Sequence, residues 1–313
     1  MKGLAEFVMR GRPQALFVAV ACAGSLLFSW ISAAVVALVT LRKGAGQGAW
    51  ILFWALLPAG TVWYRFGDSG PVALLIGTTA LAIVLRATVS LPLALLAACA
   101  VGVVSGLLAL TLAGEYLQQV ADYYGEFLGQ MEQRLAQSGN PEEYGRPGVL
   151  QIAGMVGAGT AMTAVLCLLL ARYWQAALYN PGGFGAEFRA LRSPVSAPLA
   201  LVAVALVLGS LGMSYLSWVM VFFMPLTFAG LALVHSRARA RGQGGGWLGV
   251  FYAAWVVFDP VKLLVVFFAI ADSWLDFRQR WEQPAAGDDG AGKGTGITRR
   301  DDADNGDQAD KDD

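Results

Sequence analysis

Of the 313 residues, 57% are hydrophobic and 14% charged, and the mean hydropathy is +0.56. A soluble domain carries about 25% charged residues, so this is not a soluble-domain composition. The formal net charge of zero offers nucleic acid no electrostatic pull, and no nucleic-acid partner is expected.

Charges gather in short links and at the C-terminus, and long neutral runs lie between them. Neutral apolar runs of 18 or more residues are candidate membrane spans. The expected class is all-α: a polytopic integral membrane helix bundle of about eight to nine transmembrane segments, some short or broken. One transmembrane domain is expected over 1–281 and a disordered acidic tail over 282–313.

Lys2, Arg10 and Arg12 precede the first apolar run, and residues 4–9 suit a short interfacial helix. No cleavable signal peptide is expected, because the following run is too long and ends without a cleavage site. Pro13 suits the first turn of a helix. Residues 15–41 carry no charge, too many for one crossing and too few for two. Cytoplasmic links are rich in Lys and Arg. Arg10 and Arg12 before the run, with Arg42 and Lys43 after it, therefore predict two short helices turning back near 24–30.

Crossings are expected at 49–63 with a kink at Pro58, at 71–85, and at 91–112, where Gly102 and Gly106 allow close helix approach. Residues 113–149 hold six acids and two arginines and are expected outside. Leu117, Val120, Tyr124, Phe127, Met131 and Leu135 mark an amphipathic helix there, lying on the membrane surface or capping the bundle. Ser138-Gly139-Asn140-Pro141 should end it.

A crossing over 150–170 has a small-residue outer half at Gly154, Gly157, Ala158 and Gly159. The cytoplasmic loop 172–197 follows, with Arg172, Arg189 and Arg192 against Glu187. Crossings are expected at 198–215 and at 218–234, the latter with Pro225 near its middle. His235 is expected to cap a helix C-terminus, and Arg237, Arg239 and Arg241 place that link inside. Residues 246–270 are interrupted by Asp259-Pro260 and Lys262. They either cross once or break at Pro260 and return the tail to the cytoplasm, the direction Arg278 and Arg280 favour. Residues 282–313 hold ten acids and four bases without apolar periodicity, a disordered composition.

Four features could carry function. Ala15, Ala19 and Ala23 share one helix face, either docking another membrane subunit or packing within the chain. Asn180-Pro181-Gly182-Gly183 is a turn signal that is either an anion cradle or an elbow. It lacks the Lys-Ser/Thr ending of a phosphate loop. Asp259 and Lys262 are spaced to pair on a helix, while Asp272, Asp276 and Arg278 are intramembrane or interfacial ionisable groups. These either hold the last helix or relay an ion. Cys22, Cys99 and Cys167 lie far apart in apolar runs and suit packing. His235 is the sole histidine, so no metal site is expected. No nucleophile–base pair is present, so neither an enzyme nor a cofactor is expected.

Arg172-Tyr173-Trp174-Gln175 through Arg192, Gly230 to His235, and Ile270-Ala271-Asp272-Ser273-Trp274-Leu275-Asp276-Phe277-Arg278 together resemble the YybS-like family of bacterial inner-membrane proteins. The resemblance covers most of 1–281 and leaves out the acidic tail. It implies a multi-pass protein of the bacterial inner membrane but names no activity; the basic flanks of the first run put the N-terminus in the cytoplasm. That family is similar in fold to substrate-binding S-components of energy-coupling-factor transporters. In those, an alanine face on the first helix contacts the coupling subunit, as Ala15, Ala19 and Ala23 would here. Two functions follow as expectations. One is a transport-related, solute-binding membrane subunit. The other is a non-transporting scaffold, such as an envelope-biogenesis protein. The lipid bilayer is the partner common to both.

Overall fold

The computed structural model describes residues 2–138 and 144–282. Most of the expected acidic tail, and Gly139, Asn140 and Pro141 of the expected helix stop, lie outside the described residues. Among the described residues there are fourteen α-helices and no strand, an all-α architecture.

The chain opens with α1 (Lys2–Arg10) and α2 (Arg12–Ala23), whose first turn holds Pro13. After a break comes α3 (Ser29–Lys43). The neutral run is thus two helices, as its flanking charges predict. Ser32 Oγ donates to the Ala19 carbonyl at 2.7 Å, so α2 and α3 run antiparallel. The tip meets Pro58 and the Trp30 carbonyl meets Cys167. Both lie well inside their own helices, so the hairpin reaches partway along the bundle. Its carbonyls are satisfied locally. Phe28 N–H donates to Ser25 O, Ser29 N–H to the same oxygen, and Trp30 Nε1 to Leu27 O. Such internal partners leave the backbone of the break paired within the chain.

Next come α4 (Ala45–Phe66, with Pro58 inside it), α5 (Gly70–Thr88) and α6 (Leu91–Leu112). The amphipathic helix is α7 (Gly114–Gln137). Its apolar stripe is seated only at the start: Leu117 is buried, while Tyr124 and Phe127 are exposed.

Helix α8 (Val149–Tyr179) runs 31 residues, about 46 Å at 1.5 Å per residue. It therefore continues through Arg172–Tyr179, and the expected loop at 172–197 begins as helix. The residues there, Arg-Tyr-Trp-Gln-Ala-Ala-Leu-Tyr, include no glycine or proline that would end a helix. A short α9 (Gly183–Arg189) and α10 (Ala197–Ser210) follow, then a 3-10 turn at Met213–Tyr215 and α11 (Leu216–Ala240). The last apolar run is α12 (Gly245–Val257) and α13 (Asp259–Leu275), bent by 111° where Pro260 opens α13. The described chain ends with α14 (Phe277–Glu282).

Four helices are long and apolar enough to cross a membrane: α5, α6, α8 and α11 with its leading turn. The bent pair makes a fifth if taken as one span. Helix α4 lies outside that set because glycines and polar or aromatic residues dilute it, and α10 because it has 14 residues.

The interior is closed by small residues. A Cβ on Gly157 would collide with the Gly102 carbonyl, and one on Gly106 would sit 2.8 Å from the Ala153 carbonyl. The Gly102–Gly106 spacing and the small-faced start of α8 thus meet each other, in the most extensive helix pair of the fold. Such backbone approach maximises van der Waals packing where apolar burial drives little.

Candidate functional site

Basic side chains converge at one end of the bundle. Helix α3 brings Arg42, whose guanidinium lies 4.0 Å over the Tyr179 ring. Helix α5 brings Arg86, which donates to the Leu41 carbonyl at 2.6 Å. The end of α8 brings Arg172, α9 brings Arg189, the end of α11 brings Arg237 and Arg239, and α14 brings Arg278. Acidic α7 packs at the opposite end of α8, beside Ile152. Tyr116 in α7 covers Gly67. Its phenol is pushed up by burial and then by the charge of Asp68.

Polar cavities open at the basic end, and two of them have α9 in the wall and differ in their charge. The first, about 450 Å³, is bounded by Arg172, Gln175, Tyr179, Asn180, Gly183 and Glu187. Arg172 Nε donates to Glu187 at 2.8 Å and its Nη1 to Gln175 at 2.7 Å. Val89 also lines it, at a left-handed φ of 51°. That is a costly backbone for a β-branched residue.

The turn beneath is an elbow. Gly182 sits at φ +87°, the left-handed region, and Gly183 N–H donates to Asn180 O at 3.0 Å. Of the two readings of Asn180-Pro181-Gly182-Gly183, this geometry fits the elbow: Pro181 carries no N–H and that of Gly183 is spent within the turn. Phe184 packs on Tyr173 and Phe188 instead.

The second cavity, about 580 Å³, lies between α9, α11 and α14. Asp272 is 2% exposed and pairs with Arg278 Nε at 3.4 Å while accepting from Phe277 N–H at 3.1 Å. Arg278 spends its other nitrogens on the Arg189 and Leu191 carbonyls, at 2.6 and 2.7 Å. Burial lowers the Arg278 pKa, and the Asp272 carboxylate opposes that shift. Asp276 ends α13 at φ 44°, a conformation Asp tolerates. That turn aims its carboxylate at Arg192 Nη1, 2.6 Å away, and Arg192 Nη2 reaches the Ser273 carbonyl at 3.0 Å. Asp272, Asp276 and Arg278 therefore clamp the end of α13 and the start of α14 to the segment after α9. Arg192 is the residue whose weight the spacing hid, because its partner lies 84 positions away.

The remaining expected residues lie elsewhere. Asp259 and Lys262 pair at 2.7 Å, well exposed, at the bend of the last run. His235 is not a helix cap, because α11 continues five residues beyond it. Its Nδ1 sits 2.9 Å from the Leu231 carbonyl and so carries the hydrogen. The ring packs between Phe188 and Tyr252. Ala15, Ala19 and Ala23 are fully buried against neighbouring helices of the same chain. Methyl groups that small let α3 and α4 close over α2, so the face expected to dock another subunit is already covered.

Among the described residues no three His, Cys, Asp or Glu side chains gather as a metal set would. No protein-family model, curated protein or solved structure matches this chain.

Proposed function

We propose that this chain is a multi-pass protein of the bacterial inner membrane, a scaffold rather than an enzyme or a carrier. Its basic end faces the cytoplasm. Under this reading α4, α5, α6, α8, α10 and α11 cross, while the α2–α3 and α12–α13 hairpins enter from the cytoplasmic side and return. The positive-inside bias supports that orientation, with acidic α7 on the outer surface. The resemblance to the YybS-like family fits the same placement.

One observation carries the scaffold reading. Asp272 is the single buried charged side chain among the described residues, and it lies at the basic end. The other buried polar side chains are serines and threonines. Several donate to a carbonyl one turn back in their own helix, as Thr40 does to Val36 and Thr79 to Leu75. A carrier of polar solutes would place polar groups near mid-membrane, at broken helices. The break of α2–α3 brings only serines, and the hydroxyls of Ser29 and Ser32 are spent on the Leu26 and Ala19 carbonyls. A second reading, a solute-binding subunit like an S-component, draws support from an apolar cavity of about 440 Å³ between α5 and α6, which would suit a hydrophobic solute.

Labelling tests the placement. With Cys22, Cys99 and Cys167 replaced by Ala, Gln130→Cys and Ala190→Cys should react with an impermeant maleimide from opposite faces of sealed membranes. Reaction of both from one face rejects the topology. Mass spectrometry of the mildly solubilised protein tests the function: a stoichiometric protein partner is expected, and a stoichiometric polar solute would overturn the scaffold.

A further inference from the structure

The 580 Å³ cavity carries more positive charge than its acids balance. Asp272 answers Arg278 and Asp276 answers Arg192. Arg189 and Arg239, also in its wall, have no acidic partner among the described residues, and Arg192 Nε is buried without an acceptor. Two arginines therefore stand free in a concave site. Planar guanidinium groups match the oxygens of a phosphoryl group, which each can contact through two N–H donors.

A second cavity adjoins this one, and Trp281 lines both. It is about 390 Å³ and lies between α11, α12 and α13, walled by Leu233, Val234, Phe251, Leu264 and Phe268. Arg237 lies 4.7 Å over the shared Trp281 ring, an amphipathic boundary of the kind found at headgroup level. At about 30 Å³ per water-sized group, the apolar cavity holds on the order of a dozen methylenes.

We propose that the paired cavities bind one anionic glycerophospholipid. Its phosphodiester lies between Arg189 and Arg239, and one acyl chain lies in the groove beyond Trp281. A soluble phosphate compound would use the first cavity and leave the second without a purpose. Basic pockets between helices on the cytoplasmic side recognise lipid headgroups by this chemistry. The proposal rests on the membrane reading above. That reading is tested separately by alkaline extraction: release of the protein without detergent would refute it, whatever the cavities bind.

The lipid proposal is tested on the full-length detergent-purified protein by native mass spectrometry. Phosphatidylglycerol, phosphatidylcholine of the same chains and inorganic phosphate serve as probes. The wild type should retain phosphatidylglycerol at least about tenfold better than phosphatidylcholine, and Arg189→Gln with Arg239→Gln should erase the preference. Arg239 is exposed at the end of α11, so Arg239→Gln alone tests the head site if the double variant misfolds, with a loss of about fivefold. Val234→Trp, filling the groove, should weaken both lipids alike. Equal retention of the two lipids by the wild type overturns the proposal. So does displacement of phosphatidylglycerol by inorganic phosphate with Val234→Trp having no effect, which would identify a soluble phosphate compound as the ligand.

Discussion

Helices α3 and α12 are both apolar and of similar length, yet their surroundings are opposite. Every residue of α3 from Ala33 to Leu41 is buried, while α12 buries none of its residues. The difference lies in side-chain size and position rather than hydropathy. Helix α3 alternates Ala with Val and Leu and is enclosed by α2, α4, α5 and α8. Helix α12 carries Trp247, Phe251, Tyr252 and Trp255, which hold neighbouring backbones apart. Apolarity alone does not bury a helix: four helices close around α3, while α12 packs chiefly on α13 and α11. The α12–α13 arm is held to the rest by packing of α13 on α11, where a Cβ on Gly230 would collide with the Val265 carbonyl, and at its end by the Arg192–Asp276 pair and the bonds of Arg278 to the Arg189 and Leu191 carbonyls.

The comparison can be broken at those ion pairs first. Arg278→Met should cost about 3–5 kcal/mol by leaving buried Asp272 without its charge partner. Unfolding in a mixed-micelle titration measures it, and a loss below about 1 kcal/mol would show that α13 is anchored by other means. Leu38→Ala, inside α3, should cost about 2–5 kcal/mol through the cavity it leaves. If the variant unfolds at the wild-type denaturant fraction, the enclosure of α3 carries no energy.

Gly157→Ile forces α8 away from α6 and should cost about 1–3 kcal/mol, read in the same titration. Tolerance there would mean the two backbones have room to part. The smallest effect belongs to the outer arm. A Cβ on Gly249 meets nothing within 4 Å, so Gly249→Ile should change stability by no more than about 0.5 kcal/mol. A loss as large as that of Gly157→Ile would erase the contrast between the two regions.

Much of the fold was legible beforehand. The break inside the first apolar run followed from charge on both flanks; Asp259-Pro260 left the last run open between one span and a break, and the structure has the break. The amphipathic α7 was visible as apolar positions three and four apart. The seat of α7 was not visible, because periodicity marks a stripe without saying how much of it another helix covers. Of the candidate site, the gathering of Arg172, Arg189 and Arg192 with Glu187 in one link was readable, but not that Arg172 is the one that pairs with Glu187. The Arg192–Asp276 pair was not, since no local spacing links residues that far apart. His235 was misjudged for a related reason: a histidine followed by arginines looks like a helix end, but the helix ran on.

By itself the sequence determined the helical class, the breaks, and the concentration of positive charge on alternate links. Those are local properties, set by hydrogen bonding within a segment, by proline and by composition. The tertiary structure alone decided which apolar faces are covered, that the alanine face is spent inside the chain, and that four arginines surround one cavity. Those depend on which helices become neighbours, and that is settled by shape fitting between residues distant along the chain.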